Sequence, residues 1–185
     1  MPRITRASGL KALAVSALLT ITVGISCQAA PVSDCSTPAC RPIDVPGWVH
    51  DTTWEGPGMQ IIVPPGIPFF ETNRWIGASF LPKSENQTID DHMAGTERNG
   101  GLHFAGIRYF HLPDLQRGAG QEPFHLLLSE KPTEPKLDLR AVTIDTDRAG
   151  RPYFVTIWLA AADLETLNAT MPLFQATLRN YGKPN

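Results

Sequence analysis

Cysteine is scarce in this chain and stops early. Cys27, Cys35 and Cys40 are the three cysteines among 185 residues, and none lies beyond position 40. The later sequence therefore has no second cysteine pair to complete a zinc module and no thiol nucleophile. Long apolar runs are lacking as well. The longest uncharged, mostly apolar stretch, Ala12–Ile25, has fourteen residues, against the ~20 that a membrane-spanning helix needs. No H-E-x-x-H, P-loop or dinucleotide fingerprint occurs, and Gly77-Ala-Ser79-Phe-Leu81 lacks the last glycine of G-x-S-x-G. These absences weigh against an enzyme without excluding one.

What is present at the N-terminus points to export. Arg3, Arg6 and Lys11 precede the apolar run, and the small residues of SCQAA follow it, the order of a signal peptide over residues 1–29. Cleavage after Ala29 removes Cys27. Alternatively VGISC resembles the lipobox of bacterial lipoproteins, whose cysteine carries lipid, although Gly24 stands where that family prefers Leu or Val. Both routes leave Cys35 and Cys40 as an even pair in an oxidising compartment, where a disulfide is expected. So short a ring stabilises by about 2 kcal/mol at most.

Loss of residues 1–29 takes three of the sixteen basic residues and none of the eighteen acidic ones, leaving a formal charge of −5. That balance disfavours nucleic acid and anionic membrane surfaces and favours a basic protein partner. Membrane contact would come only through an N-terminal lipid. No cofactor or metal is implied.

Seventeen prolines are nearly twice the usual share and predict stiff loops. Residues 30–46, with Pro31, Pro38, Pro42 and Pro46, read as a tether ahead of a single α+β domain at 47–185. Met59–Val63, Arg74–Leu81, Leu102–Leu112 and Phe124–Ser129 read as strands. Leu137–Asp145 and Tyr153–Leu159 read as a hairpin. Thr88 and Asp91 have capping-box spacing and predict a short helix from Ile89 to about Thr96, stopped by Arg98-Asn-Gly-Gly101. Leu164, Leu167, Met171, Phe174, Leu178 and Tyr181 step by three and four, the seam of an amphipathic helix. Pro172 should kink it, or split it with Thr170 as a new N-cap. The expected architecture is an antiparallel sheet of about five to six strands packed by this long helix and the short one.

The hairpin with YFVTIWL as its second strand, followed by DLETLNATMPLFQATLRNYGKP, resembles the C-terminal end of PsbP-like and DcrB-like domains, small α/β/α sandwiches of exported bacterial proteins. The resemblance covers roughly the last fifty residues. It implies a binding or adaptor scaffold, with no catalytic set to carry over.

Candidate chemistry is thin. His103 and His111 would share a face of one strand, but ~26 Å apart, too far to hold one ion. Asp90-Asp91-His92 is the densest ionisable cluster; successive helical residues diverge by ~100°, and two acids at a helix start suit the macrodipole. Asp145-x-Asp147-x-x-Gly150 opens like a calcium loop but has Ala149 and Thr156 where ligands belong. Trp48 and Trp54 either close the edge of the core, the favoured reading, or stand as exposed anchors for a partner. The reading that results is an exported, periplasmic, non-enzymatic envelope protein that binds another protein, an inhibitor or immunity protein or an adaptor, facing a basic toxin or enzyme. Its contact residues are expected on the loops Pro82–Gly101 and Pro113–Pro123: Asp90, Asp91, His92, Glu97, Arg98 and Arg117. The alternative is a small hydrolase or metal-dependent enzyme in which Asp90, Asp91 or His92 recruits His50, His125 or Glu97.

Overall fold

A computed structural model describes residues 41–182 except 57, 134 and 148. The expected signal peptide, most of the expected tether, and the roles expected for Cys27, Cys35 and Cys40 lie outside these residues. Among those described, the α+β expectation holds. The elements run β1 (Val49–His50), β2 (Met59–Val63), β3 (Arg74–Pro82), α1 (Ile89–His103), β4 (Arg108–Leu115), β5 (Phe124–Glu130), β6 (Leu137–Thr146), β7 (Pro152–Ala161) and α2 (Leu164–Asn180). Seven strands form one sheet in the order β1-β2-β3-β7-β6-β5-β4, every neighbouring pair antiparallel.

Side chains alternate between faces along each strand, and the two faces are covered differently. Val155, Ile157, Leu159 and Ala161 of β7 join Ile76, Ala78 and Phe80 of β3 beneath Leu167, Phe174 and Leu178 of α2. This is the main core. The opposite face carries Phe154 of β7, Val142 of β6 and Leu127 of β5 under Ile89 and Met93 of α1. Residues 41–46, assigned to the tether on composition, contribute Ile43 and Val45 to the main core. Buried Gln60 fixes that entry: its Oε1 accepts from Ile43 N at 2.8 Å and its Nε2 donates to Arg41 O at 2.9 Å.

Several expectations need correction. Helix α1 does not stop near Thr96 but continues through Arg98-Asn-Gly-Gly101 to His103. A Cβ at Gly100 would lie 1.7 Å from the Tyr109 hydroxyl, so the glycine read as a stop is the place where the helix admits a tyrosine from β4. The strand expected from Leu102 therefore begins at Arg108, and His103 belongs to a helix. Pro172 neither splits α2 nor makes Thr170 a cap: one helix runs through it. Thr170 instead donates its hydroxyl to Thr166 O at 2.8 Å. The capping box is as predicted, with Thr88 Oγ1 accepting from Asp91 N at 3.1 Å and Asp91 Oδ2 accepting from Thr88 N at 2.9 Å.

Candidate docking face

On the face shared with α1, that helix packs on β7 at Phe154, and the surface around Trp158 of β7 and Trp75 of β3 is not part of that packing. Aromatic side chains lie there instead. Trp158 of β7 pairs in register with Gly77 of β3 and lies over it, with no side chain beneath. Trp75 meets Trp158 edge-on at 5.7 Å, Phe69 meets Trp75 at 5.0 Å, and Trp54 and Phe70 continue the chain at 5.3 Å from each other. Trp75 and Trp158 are half-buried, whereas Trp54 is 44% and Phe70 66% exposed. Trp54 thus departs from the expectation that it closes the core; Trp48 packs against it as expected.

The exposed rings are held in place by their backbone. Asp51 reaches both loops that carry them, Oδ1 accepting from Thr53 N at 3.1 Å and Oδ2 from Phe69 N at 3.2 Å. Trp54 N donates to Asp51 O at 3.2 Å, and Asp51 N donates to Ile61 O of β2 at 2.9 Å. Pro64, Pro65 and Pro68 stiffen the second loop. Side chains fixed before binding lose little conformational entropy on contact. The rings tilt by 38° to 89° to one another, so together they form a knobbed surface and not a continuous flat one. A knobbed apolar surface of this kind suits an irregular protein partner.

The residues singled out from sequence fall into two places. Asp90, Asp91, His92, Glu97 and Arg98 all ride on α1, on the same side of the sheet as the aromatic cluster. Asp90, Asp91 and Arg98 are exposed; Thr88 hydrogen bonds hold the Asp91 carboxyl below its ordinary range. His92 turns inward and stacks on Phe154 at 4.4 Å and 12°, where burial, then the Arg140 charge, lowers its pKa. Glu97 lies 2.7 Å from His111 Nε2 on β4. Arg117 is on the other face, its guanidinium against Phe124 at 5.1 Å and Tyr181 at 5.3 Å. The partners that an active site would recruit are engaged elsewhere: His50 with Glu55 at 2.6 Å, and His125 with Asp114 at 3.2 Å. Among the described residues no three His, Cys, Asp or Glu side chains gather to hold a metal ion. The two expected contact loops are also shorter than read, since α1 occupies most of Pro82–Gly101 and β4 extends to Leu115.

Phe69, Phe70 and Asp51 were not legible as a unit. The signal available was the aromatic pair at the end of the proline-rich VPPGIPFF, with another aromatic residue, Trp75, shortly after it.

Comparisons with known proteins bear on the fold. No family model and no curated protein matches the chain. Among solved structures it is similar to the Saccharomyces cerevisiae Ran-binding protein Mog1p, at 14% identity and a TM-score of 0.47, covering 72% of this chain and 84% of that one. It is also similar to a cyanobacterial PsbP from Synechocystis, at 14% identity and a TM-score of 0.45, covering 76% of this chain and 94% of that one. No functional residue is transferred from either protein.

Proposed function

We propose that this chain is an exported, non-enzymatic protein of the bacterial envelope that acts by binding a basic protein through the Trp54–Phe70 face. One observation carries the reading: two aromatic side chains stand exposed on loops that Asp51 and three prolines hold rigid. Exposed, pre-positioned Trp and Phe are the anchor type that dominates protein interfaces. Glu71, exposed beside Phe70, supplies an acidic group at this face, in keeping with the formal charge of −5 expected after export. Acidic groups of this sort speed association with a basic partner more than they tighten it. The biological role that fits is inhibition of a basic toxin or enzyme by occlusion, with an adaptor role as the second form. The sequence supports delivery to the periplasm, with Cys27 either lipidated or removed and Cys35 bonded to Cys40.

The test is a comparison of the exported chain with its Trp54→Ser and Phe70→Ser variants. A partner retained from the host's envelope fraction is purified and its affinity measured for each. The proposal expects at least ~30-fold weaker binding for either variant, the loss of a hot-spot anchor worth about 2 kcal/mol. Leu164→Ser, on the α2 side, should bind as the parent does. Equal affinity for the parent and Phe70→Ser would overturn the assignment of this face. Retention of the chain in the cytoplasm would overturn export.

A further inference from the structure

A second polar site lies on the α1 side of the sheet, away from the aromatic cluster. Between the C-terminal half of α1 and strands β4–β6 is a pocket of about 240 Å3. Asp138 and Arg140 of β6 line it, with Lys131 just after β5 and an apolar wall of Phe104, Ile107 and Tyr109. The charges at this pocket balance. Asp138 Oδ2 accepts from Arg140 Nη2 at 2.9 Å and Nε at 3.3 Å. Burial above all raises the Tyr109 pKa, Arg140 opposes it, and Glu97 and Asp138 add to it, so two acids act here beside the two cations. A ligand therefore need bring no charge.

One atom calls for a donor. Asp138 is 4% exposed, and its Oδ1 is buried and meets no donor among the described residues. An acceptor buried in this way is costly, and an N–H or O–H group relieves it. Lys131 Nζ stands 3.7 Å from Asp138 Oδ2, beyond hydrogen-bond reach, and 5.5 Å over the Phe104 ring. It is the loosest contact of the Asp138 carboxylate.

We infer that this pocket binds a small uncharged carboxamide. Its N–H donates to Asp138 Oδ1, its carbonyl accepts from Lys131 Nζ, and its apolar body rests on Phe104, Ile107 and Tyr109. Lys131 turns aside to open Oδ1 and then holds the ligand's carbonyl. A carboxamide sets a donor and an acceptor side by side, which matches this acid and this amine; a carboxylate or an ester has no donor to offer. The inference is independent of the docking face, since it uses no residue of the aromatic cluster.

The probe is phenylacetamide, titrated into the exported chain labelled with 15N and 13C. Phenylacetate and methyl phenylacetate, which share its apolar body and lack the N–H, are the controls. Saturable shifts are expected with phenylacetamide at the Tyr109, Ser129 and Arg140 amides and at the Asp138 side-chain carboxyl carbon. Both controls should bind at least about ten-fold more weakly, the loss of a hydrogen bond to a buried charged group. Thr96→Leu narrows the mouth from α1 without touching a charge, and should weaken phenylacetamide by a similar factor. Equal affinity for either control, shifts that map elsewhere, no saturable shift, or full affinity in folded Thr96→Leu would each overturn the proposal.

Discussion

The aromatic cluster depends on a residue with no side chain, and adding one methyl group tests that dependence. In Gly77→Ala the new Cβ would stand 2.4 Å from Trp158 Cζ2, 2.5 Å from Cε2 and 2.9 Å from Trp75 Cζ3. Carbon atoms pack at about 3.5–4.0 Å, so Trp158 must move by roughly 1 Å. It cannot move alone, because Trp75 and then Phe69 lean on it edge-to-face. Overpacking of this kind costs about 1–3 kcal/mol, and disturbed aromatic pairs add about 0.5–1.5 kcal/mol. Replacing glycine within a strand returns roughly 0.5–1 kcal/mol of backbone entropy. The net expectation is a loss of about 2 kcal/mol, which for a chain of this size lowers Tm by about 4–8 °C. Thermal unfolding by circular dichroism reads it, with tryptophan emission reporting the rings. In a background carrying both Trp158→Leu and Trp75→Leu the same substitution should cost under about 0.5 kcal/mol, since both obstructing rings are gone. Equal costs in both backgrounds, or none in either, would refute the packing argument.

Three further outcomes are expected. His92 is held neutral by burial and by Arg140, so its folded pKa lies below its unfolded value of about 6.5. The stability this confers is complete above that value and falls as pH drops through the folded pKa; His92→Phe should abolish the dependence in urea melts between pH 7 and 5. Burial raises the Asp147 pKa, but hydrogen bonds from Arg151 and Ala149 prevail and lower it. Its contribution is therefore present above an unfolded value of about 3.9 and lost as pH falls through the lower folded pKa, a slope that Asp147→Asn should flatten. Pro172 lies exposed in the middle of α2 and has no N–H for the Asn168 carbonyl. Pro172→Ala should stabilise by about 1–3 kcal/mol in thermal melts, and a lowered Tm would show that contacts of the ring outweigh the missing bond.

Periodic features were legible in the sequence, and close approaches were not. The seam of α2 from Leu167 onward, the β6–β7 hairpin and the Thr88–Asp91 box each follow from spacing along a single element and are present, whereas Leu164, expected to start the seam, is exposed on the first turn. The length of α1 depends on Tyr109, which sits under Gly100 only after β4 has folded against β5; from the chain alone, two adjacent glycines read as an end. The aromatic cluster likewise depends on Gly77 meeting Trp158 across strands far apart in sequence. Asp138 and Arg140 did leave a trace, as two charges at alternate positions within the apolar LDLRAV. One inward-facing charge pair on a buried strand is the pattern to look for in such cases.

The strand order also sets when the fold can close. β1–β3 pair among themselves and β4–β7 form a meander, and β7 is the strand that joins the two groups. Ile76 must wait for Leu159, 83 positions later, and the main core cannot form without both. Such distant pairings slow folding even where they add little to the entropic cost of closure. On the proposed export route that delay would be an advantage: until β7 has been synthesised there is no native core to block transit. The topology itself would then act as a timer, keeping the chain threadable until nearly all of its strands exist.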